Sequence, residues 1–105
     1  MMTREKPIQR SVTISDQAWA ATMAYAAEQG MNASALCEQV MQQYLNESDP
    51  PVVATRAGSL NTRKRSIHIS QPIWIGMMSR KVLVRRSIST ILEQLLRQRI
   101  GLPTA

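Results

Sequence analysis

The sequence predicts a mostly α-helical fold with one two-stranded antiparallel β-ribbon, built from two tandem copies of a strand–helix–helix unit. Three observations predict it. The chain matches itself at an offset of 55 residues without a gap. Each copy opens with a short run in which apolar and polar residues alternate, the period of a half-buried strand. Each copy then shows two stretches with apolar residues at helical spacing, separated by turn and cap residues.

The repeat comes first because it decides the architecture. Arg10-Ser11-Val12-Thr13-Ile14-Ser15 lies over Arg65-Ser66-Ile67-His68-Ile69-Ser70. Trp19 falls on Trp74, Met23 on Met78, Ser34 on Ser89, Glu38-Gln39 on Glu93-Gln94 and Gln43 on Gln98. That makes ten identities in the 36 pairs from Arg10/Arg65 to Leu45/Ile100. Other pairs exchange one apolar residue for another, as in Leu36/Ile91 and Val40/Leu95.

In the first strand Val12 and Ile14 share one face, and Gln9, Ser11 and Thr13 share the other. In the second, Ile67 and Ile69 turn inward, while Lys64, Ser66 and His68 turn outward. Ser15 is the expected N-cap of a helix over Asp16–Gln29, with Asp16 in its first turn. Its expected inward stripe is Trp19, Met23 and Ala26 or Ala27. Gly30 ends that helix, since glycine takes left-handed geometry without steric cost. Asn32 caps a second helix to Leu45, with Leu36, Cys37, Val40, Met41 and Tyr44 inward.

Copy two repeats the scheme. Ser70 is the cap, Pro72 sits in the first turn, and Trp74, Met78 and Val82 are expected inward. Ser87 caps a helix carrying Ile88, Ile91, Leu92, Leu95 and Leu96. Arg85 stands where copy one has Gly30, so that turn is either strained by about 1 kcal/mol or shaped differently. Both tryptophans and the methionines are expected in the core, and Cys37 reads as a small buried hydrophobe.

The organisation is then a flexible arm (1–8), copy one (9–45), a linker with Pro50-Pro51 and Gly58 (46–63), copy two (64–100) and a short tail (101–105). A unit of 36 residues buries too little surface to fold alone, and a lone strand has no partner for its backbone. The linker reaches up to roughly 60 Å when extended, enough for the two copies to pair within one chain as a single domain. A dimer that swaps the halves between two chains is the rival arrangement.

Strand ending in Ser, helix, turn (Gly-Met-Asn-Ala-Ser in copy one), helix: this order of elements, twice in register, resembles the ribbon-helix-helix family of the Arc and MetJ repressors. The resemblance covers most of the chain apart from arm, linker and tail. It implies a paired β-ribbon that enters the major groove of DNA, with the outward strand residues Gln9, Ser11, Thr13, Lys64, Ser66 and His68 reading bases. The side chains suit that chemistry. Glutamine pairs bidentately with adenine, lysine donates to guanine, and serine or threonine does either. Histidine titrates near neutrality, so His68 would make binding mildly pH-dependent. An exposed ribbon face carries polar residues in any case, so the repeat and the charge must support the reading.

The start of each second helix is the expected phosphate site: Asn32, Ala33 and Ser34 in copy one, and Ser87, Ile88 and Ser89 in copy two. Free amides and a positive dipole end hold phosphate there. Ordinary N-capping by Asn32 and Ser87 is compatible with that role. Arg85 and Arg86 precede the second clamp. Arg10 and Arg65 fall on the inward face by parity, but at strand ends they are expected to turn out to phosphate.

Net charge is +6, which favours a polyanionic partner. Copy one (10–45) has one Arg against three acidic residues, net −2; copy two (65–100) has seven cations against Glu93, net +6. Copy two should supply most phosphate affinity, and the unlike halves should prefer an asymmetric or imperfectly palindromic site. Possible side-by-side self-association on DNA fits the same picture. The expected function is transcriptional repression; the alternative is an accessory DNA-binding protein of plasmid transfer or maintenance. An antitoxin that masks a protein partner fits less well, since only 101–105 follow the last helix.

The sequence contains no nucleophile–base pairing, carboxylate dyad or Gly-rich phosphate loop, so no enzyme and no cofactor is expected. One Cys and one His cannot make a tetrahedral metal site or an internal disulfide. No apolar run approaches the roughly 20 residues that span a bilayer. The expected location is the cytoplasm, in association with the nucleoid.

Overall fold

The computed structural model describes residues 7–46 and 62–102. In chain order these form β1 (Ile8–Ser15), α1 (Asp16–Glu28), α2 (Ala33–Leu45), β2 (Thr62–Ile69), α3 (Gln71–Val84) and α4 (Ile88–Ile100). The rest of the expected arm, linker and tail (1–6, 47–61 and 103–105) lies outside the described residues.

β1 and β2 pair antiparallel within the one chain, and the register is symmetric under exchange of the repeats. Ser11 faces Ser66, its own counterpart; Gln9 faces His68 and Thr13 faces Lys64. Both strands run longer than their alternation predicts. Ile8, expected in the arm, pairs with Ile69, and Thr62 and Arg63, expected in the linker, pair with Ser15 and Ile14. Pairing continues as long as the opposite strand offers backbone groups, whatever the side chains.

One ribbon face is buried. Val12, Ile14, Ile67 and Ile69 are at most 2% exposed. Above them α2 and α4 pack on each other, α2 against β2 and α4 against β1, so each copy's second helix covers the other copy's strand. The expected inward residues of α2 and α4 are all buried. Each fully buried Leu or Ile contributes about 1.5–3 kcal/mol, and neither half encloses these residues by itself.

The outward amides of the ribbon are held by helix side chains. Thr13 N–H donates to Ser89 Oγ (2.8 Å) and His68 N–H to Ser34 Oγ (3.0 Å). Ser15 N–H donates to Glu93 Oε1 (2.8 Å) and Ser70 N–H to Glu38 Oε1 (2.9 Å). The spacings match. Residues i and i+4 of a helix lie about 5–6 Å apart, close to the roughly 6.5 Å between alternate strand residues. Serine and glutamate one turn apart thus reach amides two residues apart, and the edge is closed to a further strand.

The first helix of each copy turns a different face inward from the one expected. In α1 the buried residues are Ala18, Thr22 and Ala26, and in α3 only Met77 is buried. Met23, Met78 and Val82, expected in the core, are 53%, 49% and 73% exposed. Trp19 and Trp74 are half-buried at the core's flank. The rows 18/22/26 and 19/23/27 differ by one residue. In a helix apolar nearly all round, hydropathy cannot choose between them, and the small side chains let the helix approach.

The caps largely follow expectation. Ser15, Asn32 and Ser87 accept from the amides of Ala18, Ala35 and Thr90. Ser70 occupies the cap position but makes no side-chain cap bond. Pro72 removes one of the two amides such a cap can reach. Gly30 has φ +73, and Arg85 holds the left-handed conformation at φ 57, ψ 43, the strained form of the two foreseen. Cys37 is buried, and burial pushes its thiol up to about 12, which keeps it protonated and unreactive.

Candidate nucleic-acid interface

The open face of the ribbon carries all six residues expected to read bases. Gln9, Ser11, Thr13, Lys64, Ser66 and His68 are exposed, and the register sets them in three cross-strand pairs. At about 3.4 Å per residue the eight-residue strands extend roughly 27 Å. Thr62, exposed and on the parity of Lys64, extends the same row. A linker boundary drawn one residue past it hid this position, although the alternation from His68 backward already reaches it.

The helix starts flank that face, one at each edge. Ser34 binds the amide of His68 on β2, and Ser89 binds the amide of Thr13 on β1. Asn32 and Ser87 occupy only the third amide of each helix with their side chains. By helix geometry the amides of Ala33 and Ser34, and of Ile88 and Ser89, have no partner within their helices. Each pair forms the positive end of a macrodipole beside the polar row. The Ser34 and Ser89 hydroxyls thus tie the helix starts, whose amides are the expected phosphate sites, to the ribbon. Their recurrence at Ser34/Ser89, with Glu38/Glu93 one turn later, was the signal for this.

Arg85 and Arg86 are exposed at the turn before α4, next to its N-terminus. Arg86 N–H donates to the Lys81 carbonyl (3.3 Å), and its side chain bonds the Arg85 carbonyl (3.1 Å).

Arg10 and Arg65 are the correction. Neither turns out from the ribbon. Each is half-buried and lies over the tryptophan of the other copy, Arg10 on Trp74 and Arg65 on Trp19, both 5.4 Å from the ring centroid. Parity places them inward, and a guanidinium over an indole face gains about 0.5–2 kcal/mol there, which outweighs a turn toward solvent. The two stacks are not equivalent. Asp16 binds Arg65 at 2.6 Å and Arg63 at 3.5 Å, while the residue equivalent to Asp16 in copy two is the uncharged Gln71.

Among the described residues no group of three or more His, Cys, Asp or Glu could hold a metal ion, and no helix is long and apolar enough to cross a membrane. No protein-family model, curated protein or solved structure matches the chain.

Proposed function

We propose that this chain binds double-stranded DNA sequence-specifically, as a ribbon-helix-helix protein whose two halves form a pseudo-dimer within one chain. One observation carries the reading: three exposed cross-strand pairs, Gln9/His68, Ser11/Ser66 and Thr13/Lys64, lie between two helix N-termini bonded to the ribbon's edges. A major groove about 12 Å wide admits a two-stranded ribbon, and its base edges offer the acceptors and donors these side chains complement. The flanking amides meet the phosphates on either side of the groove.

The pairing is symmetric in backbone and asymmetric in chemistry. Glutamine in one strand answers lysine in the other, and threonine answers histidine. The binding site should accordingly be two unlike half-sites. We assign the protein the role of a transcriptional repressor. Footprinting separates that role from an accessory function in plasmid transfer or maintenance: protection over a promoter supports repression, protection beside a transfer or replication origin supports the other.

The decisive experiment starts by selecting bound sequences from a random DNA pool. With the selected site in hand, Lys64→Ala and His68→Ala should each weaken specific binding by about 1–3 kcal/mol, and leave thermal unfolding unchanged. Equal affinity of the variants and the parent would remove the ribbon from the interface.

A further inference from the structure

α3 presents an apolar face that nothing in the described chain covers. Ile75, Met78, Val82 and Leu83 are 54%, 49%, 73% and 73% exposed. Ile75, Met78 and Val82 are spaced at i, i+3 and i+7, so they form one stripe along the helix. Lys81 and Arg85, both exposed, stand beside it. Isolated exposed hydrophobes are ordinary, but a continuous row of this kind marks an interaction surface.

The counterpart positions on α1 share one methionine and are otherwise smaller, with no cation among them. Ala20, Met23, Ala24 and Ala27 are exposed where α3 has Ile75, Met78, Ser79 and Val82. Apart from Met23, 53% exposed, the α1 face is low and carries Glu28, exposed, at its end; the helix holds Asp16 and Glu28 and no cation. α3 holds Arg80 and Lys81 and no acidic residue. Bulk on one face thus meets small residues on the other, and positive charge meets negative.

We propose that α3 of one molecule docks on α1 of a second copy of this chain, so that molecules associate head to tail. Neither face matches itself as well. Two α3 faces would set Lys81 and Arg85 against the same cations. Two α1 faces would bring Glu28 toward Glu28 and bury only Met23 and alanines. After the first contact the pair keeps one free α1 face and one free α3 face, so the contact is heterologous and the assembly open-ended. This inference stands apart from the nucleic-acid reading, because it concerns other surfaces and needs no DNA.

Sedimentation equilibrium of the full chain, without DNA, tests it. The parent protein's average mass should rise with concentration beyond that of a dimer, without a plateau. Val82→Asp, which spoils the α3 face, and Ala24→Arg, which sets a cation on the α1 face, should each remain at the mass of one chain. Mixed in equal amounts, they should form a species of twice that mass, because the intact α1 face of the first fits the intact α3 face of the second. Ala27→Arg replaces Ala24→Arg if circular dichroism shows that variant to be unfolded. A parent that stays monomeric at every concentration overturns the proposal. So does loss of association in Val82→Asp with none in Ala24→Arg, the pattern of α3 stacking on itself. A mixture that remains monomeric overturns it as well.

Discussion

A glutamate of each second helix secures the end of the opposite copy's strand, and the two live in different surroundings. Glu38 accepts one bond, from the Ser70 amide, and is only part-buried. Glu93 is 6% exposed and accepts from the Ser15 amide, the Ser15 hydroxyl (2.7 Å) and Arg97 Nε (3.0 Å). Arg97, itself 6% exposed, also reaches Ser15 Oγ and Gln17. Copy one has Gln42 at the matching position, exposed. Identical residues at equivalent places thus differ in energetic weight. Copy two carries a buried charge that must stay paired, and copy one carries a replaceable anchor.

The sharpest way to break this comparison is to remove each glutamate in turn. Glu93→Ala strands Arg97 inside the protein and should cost about 3–5 kcal/mol. Glu38→Ala loses one amide partner and should cost about 1–2 kcal/mol. Urea unfolding measures both, and equal losses would erase the distinction.

A smaller effect separates the two turns. Gly30 takes its left-handed conformation freely, whereas Arg85 holds it with a side chain attached. Arg85→Gly should raise stability by up to about 1 kcal/mol. It should also weaken binding to all DNA and lower the slope of log affinity against log salt by about 1, as loss of one phosphate contact does. A stability gain with an unchanged slope would detach Arg85 from phosphate while leaving the strain argument intact.

The smallest effect concerns the core. Thr22 is fully buried, and its hydroxyl has no hydrogen-bond partner among the described residues; copy two places Met77 there. Thr22→Val should stabilise the chain by about 1 kcal/mol, read from the denaturation midpoint. Loss of stability would mean that the hydroxyl is bonded after all.

Much of this was legible in the sequence because the pattern occurs twice. The alternation around Val12 and Ile67 set strand, face and parity together, and the outward residues followed from parity alone. The caps Ser15, Asn32 and Ser87 and the inward rows of α2 and α4 rest on patterns with one reading. α1 gave no such pattern: Asp16–Glu28 is apolar around most of its circumference, so Trp19 and Met23 competed with Ala18 and Thr22 for the interior. Large aromatics looked like core, but the close approach went to the small residues, and each indole became a seat for an arginine. Arg10 and Arg65 were misplaced for a related reason. Parity pointed them inward, and only the unseen tryptophan of the other copy explained why a charge stays there.

Because β1 meets β2 inside one chain, the element that would face DNA is complete in every single molecule. A two-chain version of such a ribbon falls apart on dilution, with a melting point that tracks concentration. A ribbon paired within one chain should stay intact on dilution. A substitution in either strand also alters one side of that ribbon alone, so the two sides are free to diverge.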